Sequence, residues 1–138
     1  MNSKQAYIVI DIGTGNVRVA VVSPGGKVLG VGRGDIQYIR DEQYPEAIYF
    51  EPDQLWQQIT VLGKTALQMA GGVKITAITT TSQREGIVLI DADGKSLIGL
   101  PNIDHRGREW ENSITEKSKV YQLSGRYPTS LFSAYKLE

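Results

Sequence analysis

Three short apolar runs near the start of the chain, all rich in β-branched residues, constrain its fold more than any other feature. They cover residues 7–12, 17–22 and 27–34, and only short turns separate them. The turns, residues 13–16 and 23–26, carry glycine, and the second also carries proline, residue types that favour chain reversal. Strands joined by such turns pair with their sequence neighbours, so we predict a three-stranded antiparallel meander.

The residues after the meander predict a helix that returns the chain to the same sheet. Residues 35–51 contain a proline and show no clear period, so we expect them to be irregular. A helix is predicted to open at Pro52 and to end before Gly71. Its apolar residues recur at spacings of four, three, four and three: Leu55, Ile59, Leu62, Ala66 and Met69. The next run, residues 74–81, predicts a fourth strand, and a helical crossover places it parallel to a strand of the meander.

The second half of the chain carries weaker signals. Residues 86–90 and 96–100 flank an Asp-Gly turn and predict a hairpin. Residues 106–119 can form a second, polar helix, whereas residues 121–138 show no pattern that favours one element. We therefore predict an α/β protein with a mixed sheet, of about one domain in length.

Composition excludes several classes of function. Lysine plus arginine and aspartate plus glutamate number 15 each, so the net charge is zero, and we expect no nucleic-acid partner. The absence of cysteine excludes disulfides, zinc fingers, iron–sulfur clusters and thiol nucleophiles. No apolar run approaches ~18 residues and no signal peptide is visible, so we expect no membrane span and a cytoplasmic location. The alternating glycines of the third run indicate close packing or twist: Gly30, Gly32 and Gly34.

The first candidate site is the turn that follows the first run. That run predicts a strand buried on both faces, and its only charged residue is Asp11, near its end. A carboxylate there is costly to bury without a partner, which is an argument for a metal or phosphate site. The alternative, a plain hairpin with a capping aspartate, stays open on the residues alone. Glycines let backbone amides approach phosphate oxygens, and Arg18 can oppose phosphate charge. Residues 11–18 match neither a Walker loop nor a dinucleotide fingerprint.

The second candidate site follows the fourth strand. Gln83, Arg84 and Glu85 lie there, and ligands of α/β sheets collect at the carboxyl ends of parallel strands. Their donors and acceptors suit vicinal hydroxyl groups. The alternative is a polar surface loop whose arginine–glutamate pair contributes little to stability.

Together these segments resemble the FGGY family of carbohydrate kinases, which have a ribonuclease H-like, actin-like ATPase fold. The Asp-x-Gly-Thr-x-x-x-Arg pattern of residues 11–18 is similar to the phosphate motif of that family. Residues 83–85 resemble its Gln-Arg-Glu segment, and residues 102–106 resemble its Trp-x-Asp-x-Arg segment. Residues 123–125 and 132–137 resemble its Ser-Gly and Ser-x-x-Lys-Leu stretches. The four matches occur in the family's order across nearly all 138 residues.

The resemblance implies ATP and Mg²⁺ as cofactors and a small sugar or polyol as substrate. Asp11 would hold the magnesium ion through water. The residues that would cup the β- and γ-phosphates are Gly13, Thr14, Gly15 and Asn16, with Arg18 approaching the γ-phosphate. The residues that would contact the substrate are Gln83, Arg84, Glu85, Asp104 and Arg106. By the same resemblance, residues 1–138 are an N-terminal fragment of the first domain of such a kinase. The catalytic base, an aspartate, and the adenosine-binding second domain are then expected beyond Glu138.

Departures from the family pattern bear on the substrate. Leu131 stands where glycerol kinases place a substrate-contacting tyrosine, which argues against glycerol, and Asn102 replaces the usual tryptophan. Residues 84–89 and the Asn-x-Asp-x-Arg pattern are closer to autoinducer-2 kinases, which act on a small linear hydroxyketone. Xylulokinase-like and gluconate-kinase-like substrates remain open, as does a non-catalytic ATP-binding or sugar-sensing module. An incomplete sheet would leave apolar faces uncovered, which allows a homodimer.

Overall fold

The computed structural model describes residues 4–137, and these fall into two units that each combine separate stretches of sequence. The first unit contains residues 4–37 and 53–83, and the second contains residues 38–52 and 84–137. No helix within residues 4–137 has both the length and the apolar character needed to cross a membrane.

The first unit is built on a four-stranded mixed sheet. Its strands are β1 (Lys4–Ile12), β2 (Asn16–Val22), β3 (Val28–Asp35) and β6 (Val73–Ser82), in the order β3-β2-β1-β6. The first three strands pair antiparallel, whereas β1 and β6 pair in parallel. The predicted meander and the predicted parallel fourth strand are therefore confirmed.

Helix α1 (Pro52–Ala70) supplies the crossover and lies directly on the glycines of β3. A Cβ atom added at Gly30 would lie 2.2 Å from the carbonyl oxygen of Ala66, and one added at Gly32 would lie 2.3 Å from that of Leu62. No side chain fits between strand and helix backbone at those distances. The alternating glycines thus serve close packing, as the sequence predicted.

The core of the first unit lies between α1 and one face of the sheet. Alternate residues of β2 are buried, and so is part of the apolar stripe of α1: Val17, Val19, Val21, Leu55, Ile59 and Ala66. Met69 was predicted to belong to that stripe but is 63% exposed. It lies over Gly30 on β3, the edge strand, beyond which the sheet offers no surface to cover the side chain.

Strand β1 differs from the prediction in its burial. Its residues from Ile8 to Ile12 are half-buried and Tyr7 is exposed, so the expected burial on both faces is not found. Within this unit a single helix, α1, covers one face of the sheet, and nothing in the unit covers the other.

The second unit contains two antiparallel pairs of strands. Residues expected to be irregular include β4 (Ile39–Arg40) and β5 (Ile48–Tyr49), which pair with each other. The predicted hairpin is confirmed as β7 (Ile87–Ile90) and β8 (Ser96–Leu100), and its turn contains Gly94 at a φ of 80°.

The predicted helix over residues 106–119 is wrong. The chain forms a short 3-10 turn at Arg108–Trp110, and helix α2 covers Lys117–Ser124 instead. A Cβ atom added at Gly107 would lie 1.9 Å from the carbonyl oxygen of Tyr135, in helix α3 (Ser133–Lys136). This close contact fixes the backbone at residue 107 by tertiary packing, which no local period records.

Candidate functional site

Asp11 and Arg18 face each other across the β1–β2 hairpin. They are register partners on adjacent strands, and Arg18 Nη1 donates a hydrogen bond of 2.9 Å to Asp11 Oδ2. The side chain of Arg18 is 44% exposed and that of Asp11 is 37% exposed, so both charges are within reach of solvent. The strand end therefore presents a carboxylate and a guanidinium side by side.

Backbone hydrogen bonds close the turn between the two strands, and open space lies beside Gly15. The amide of Gly13 donates to the carbonyl oxygen of Asn16 at 2.9 Å, and the carbonyl of Gly15 accepts from the amide of Ile36 at 3.1 Å. Thr14 lies between the two glycines and is half-buried. A Cβ atom added at Gly15 would meet nothing within 4 Å. The Gly13 amide is thus used inside the turn, and the space for a ligand lies beside Gly15.

The single carboxylate at this turn suits a magnesium ion whose other ligands are water and substrate phosphates. Within residues 4–137 no group of three or more histidine, aspartate or glutamate side chains is placed to hold a metal. Mg²⁺ keeps several waters and is usually bound through one or two carboxylates plus substrate phosphates. Asp11, the carboxylate at this turn, fits that role, and Arg18 would compensate phosphate charge.

Gln83 lies at the same edge of the sheet as Asp11. Strands β1 and β6 end together, since Ile12 is the register partner of Ser82. The backbone amide of Gln83 donates a hydrogen bond of 2.7 Å to the Ile12 carbonyl oxygen. The structure therefore brings the start of the second candidate segment to the carboxyl ends of the parallel strands. Arg84 and Glu85 follow in the second unit.

Glu85 has an unusual backbone conformation. Its φ of 62° is the only positive φ of a non-glycine residue within residues 4–137. The side chain is half-buried, whereas that of Arg84 is exposed. Left-handed backbone at a residue with a side chain is disfavoured, and such residues are frequent at functional sites.

Asp104 and Arg106 form one buried unit. The side chain of Asp104 is completely buried, and its two oxygens accept hydrogen bonds from the Ile48 amide at 3.0 Å and from Arg106 Nε at 2.8 Å. Arg106 Nη2 is buried without a hydrogen-bond partner in the part of the chain that the structure describes. Asp104 thus orients Arg106, and Arg106 keeps one donor available for a ligand. The contact between Asp104 and substrate stays a prediction.

A cavity lies beside this arginine. Arg106 lines it together with Tyr44, Ala47 and Trp110. Because an unpaired buried guanidinium nitrogen is costly, a hydroxyl or carboxylate oxygen of a ligand in this cavity would be stabilised.

Lys136 lies close to these groups, although the sequence analysis placed it in a family motif and not in the site. Its side chain is 7% exposed, and burial lowers the pKa of its ammonium group from the usual value. The carboxylates of Asp104 and Glu85 oppose that shift of the pKa, and the charge of Arg106 adds to it. The Ser-x-x-Lys-Leu pattern was the signal that could have marked this residue.

Comparison with known proteins gives a family match over nearly the whole chain. The model of the FGGY family of carbohydrate kinases, N-terminal domain, matches residues 6–138. The chain is 53% identical over 137 residues to the Bacillus subtilis (strain 168) protein named "Putative sugar kinase YoaC", covering 99% of this chain and 28% of that protein. It is 30% identical over 125 residues to the autoinducer-2 kinase of Salmonella typhimurium, covering 85% of this chain and 24% of that kinase.

Solved structures agree with the fold. The gluconate kinase of Lactobacillus acidophilus matches with a TM-score of 0.86 at 18% identity, over 98% of this chain and 28% of that one. The Plasmodium falciparum glycerol kinase with ADP matches with a TM-score of 0.83 at 22% identity, over the same shares. The chain therefore spans about a quarter of the length of the relatives it matches, and the actin-like ATPase fold predicted from its motifs is confirmed.

Proposed function

Since the chain belongs to the FGGY family of carbohydrate kinases, we propose that it serves an enzyme that transfers the γ-phosphoryl group of ATP to a hydroxyl of a small sugar or polyol. The observation that carries this proposal is the family match over residues 6–138, which includes both candidate segments. The chain would supply the phosphate side of the reaction and part of the sugar site.

On the phosphate side, each residue has a role that its position supports. Asp11 would hold Mg²⁺, and the open side of the turn at Gly15 would receive phosphate oxygens. Arg18, which pairs with Asp11 in this structure, would oppose the charge of the γ-phosphate. When bound, Mg²⁺ supplies charge neutralisation at the phosphates.

On the sugar side, both positively and negatively charged side chains are available for hydrogen bonding. Arg106 offers its unpaired buried donor, and Arg84 and Glu85 offer a guanidinium and a carboxylate to vicinal hydroxyls. Gln83, at the end of β6, would contact the same substrate from the edge of the sheet. Asp104 keeps Arg106 in its orientation.

The remaining machinery is proposed to lie outside this chain. A sugar hydroxyl is a poor nucleophile at neutral pH, and a base that accepts its proton contributes ~10²–10⁴-fold to the rate. We place that base, an aspartate, and the adenine pocket in the part of the protein that corresponds to the unmatched three quarters of the relatives.

A second candidate is phosphorylation of a small linear hydroxyketone of the autoinducer-2 class. It is favoured by the 30% identity to the Salmonella typhimurium autoinducer-2 kinase and by the sequence around Arg84. Leu131, where glycerol kinases carry tyrosine, argues against glycerol in either case.

The test is an acceptor panel assayed with the whole protein. ADP release with MgATP would be measured with D-xylulose, D-gluconate, glycerol and an autoinducer-2-type hydroxyketone, and the phosphorylated product would be identified by mass spectrometry. We expect acceptor-dependent ADP release with one class and none with glycerol. Nucleotide binding without transfer to any acceptor would contradict the kinase proposal and support a non-catalytic module.

A further inference from the structure

The backbone of Glu85 is held by two side chains from helix α3. Its carbonyl oxygen accepts hydrogen bonds from Lys136 Nζ at 2.9 Å and from Ser133 Oγ at 3.3 Å. A left-handed conformation at a non-glycine residue persists only where its surroundings enforce it. The two donors converge on the peptide group that follows the strained φ angle of Glu85.

Lys136 also holds a second segment of the proposed sugar site. Its Nζ donates to the carbonyl oxygen of Pro101 at 2.7 Å, and Pro101 is fully buried. Residues 102–106, which contain Asp104 and Arg106, begin immediately after it. One ammonium group therefore joins the loop at Glu85 to the start of the segment that carries Arg106.

Helix α3 is itself firmly placed in the second unit. Tyr135 is 1% exposed, and its phenol donates to the carbonyl oxygen of Glu111 at 3.2 Å. The backbone of Tyr135 lies against Gly107, which follows Arg106 directly. The helix is thus anchored independently of the bonds that Lys136 makes.

We propose that Lys136, assisted by Ser133, is a positioning residue of the sugar site, which sets the backbone of Glu85 and the segment that carries Arg106 in their binding arrangement. This rests on the proposed function of the site. Although Lys136 also lines the cavity beside Arg106, the role proposed for it is exerted through the carbonyl groups of Glu85 and Pro101. A lysine suits the task because an ammonium has three donors and its charge strengthens the bonds to carbonyl oxygens.

The test replaces Lys136 by methionine, which keeps the length of the side chain and removes its donors. In the whole protein we expect Lys136→Met to raise the KM for the acceptor at least about tenfold, because the carbonyls of Glu85 and Pro101 lose a charged donor. The KM for MgATP should stay within about twofold, because both of these bonds go to the proposed sugar side. Hydrogen exchange in a peptide spanning residues 83–88 should become faster.

Two further variants separate positioning from general destabilisation. Ser124→Ala removes side-chain hydrogen bonds elsewhere in the same unit, at a residue that does not line the cavity beside Arg106, so its acceptor KM should match that of the unaltered protein. Ser133→Ala removes the longer of the two bonds to Glu85 and should raise the acceptor KM, by less than Lys136→Met does. If Lys136→Met does not fold, Ser133→Ala decides: a raised acceptor KM supports the inference, and an unchanged one overturns it.

Failure of the proposed function would be recognised separately. If the unaltered protein phosphorylates no acceptor, the proposed function is wrong. Hydrogen exchange in residues 83–88 then still tests the positioning role, by comparing Lys136→Met or Ser133→Ala with Ser124→Ala. Unchanged exchange and unchanged acceptor KM in an active Lys136→Met variant would overturn the inference and leave the proposed function standing. Equal increases in the KM of acceptor and of MgATP would also overturn it.

Discussion

Gly15 and Gly32 differ in the space that the structure leaves for a side chain. At Gly32 the helix backbone leaves no room for a side chain, since an added Cβ would lie 2.3 Å from the Leu62 carbonyl oxygen. At Gly15 an added Cβ meets nothing and φ is not positive, so the chain itself does not require glycine there. In the proposed function, this open space is where the phosphates approach the turn.

This contrast gives the first prediction. Gly15→Ala should leave the free energy of unfolding within about 0.5 kcal/mol of the original but raise the KM for MgATP about tenfold or more, because a methyl group occupies the phosphate approach. Gly32→Ala is the matched control: it should lower the free energy of unfolding by about 1–3 kcal/mol or more through overpacking. Chemical denaturation and steady-state kinetics measure both. An unchanged KM for MgATP in Gly15→Ala would contradict the proposal that the phosphates bind at this turn.

Asp11 carries the second prediction. Asp11→Asn keeps the shape of the side chain and removes its charge, so MgATP-dependent turnover should fall at least about a hundredfold, while the calorimetric affinity for the sugar is retained. Asp53→Asn, an exposed aspartate in the first turn of α1, is the control and should retain turnover. Equal loss of turnover and sugar affinity in Asp11→Asn would indicate misfolding and count against a metal role.

Individual site residues could be predicted from the sequence only as far as local motifs reach. Asp11 and Arg18 lie opposite each other because of a hairpin that the glycines already signal. The burial of Asp104 depends on the amide of Ile48, 56 residues away in sequence, and no local pattern contains that contact. The same holds for Lys136 and its bond to Glu85.

At the scale of elements, the sequence predicted those whose signals are local and missed those shaped by packing. Helix α1 and the β7–β8 hairpin follow from apolar period and turn residues, and both are found. The predicted helix over residues 106–119 is not found: a 3-10 turn forms at Arg108–Trp110, directly after Gly107, which lies against α3. Short strands such as β4, of two residues, depend wholly on their partner strand and leave no readable alternation.

Glu111 links two of these packed segments and gives a prediction for pH. Its carboxylate accepts a hydrogen bond from the Ser130 amide, and hydrogen bonding to Ser130 lowers the pKa of Glu111 below its usual 4.5. The unfolded chain therefore binds this proton more readily, so the stabilisation is complete above about pH 4.5 and is lost as pH falls through the lowered pKa.

The measurement is denaturant unfolding at several pH values from about 6 to about 3. The unaltered protein should lose stability over the acid part of this range more steeply than Glu111→Gln, which has no proton to bind at that position. Glu116→Gln is the control, because the Glu116 side chain is 68% exposed and pairs with Lys119 at the surface. Its pH profile should follow that of the unaltered protein. Parallel profiles for the unaltered protein and Glu111→Gln would refute the role of Glu111.

At the scale of the molecule, the chain covers a quarter of the relatives it matches, and this bears on what it can do alone. Residues 1–138 expressed as a separate polypeptide should show negligible ATP-dependent turnover of any sugar, since the proposed base and adenine pocket are missing. Acceptor-dependent ADP release, compared with the whole protein at equal concentration, measures this. Clear turnover by the separate polypeptide would show that this chain contains its own base.

Folding during synthesis on the ribosome is constrained by the bond between Glu85 and Lys136. These residues are 51 positions apart, so the bend at Glu85 is translated long before its lysine donor exists. The first unit, complete at residue 83, can form while the rest is still being synthesised. The loop at Glu85, in contrast, can form its bond to Lys136 only after residue 136 has emerged.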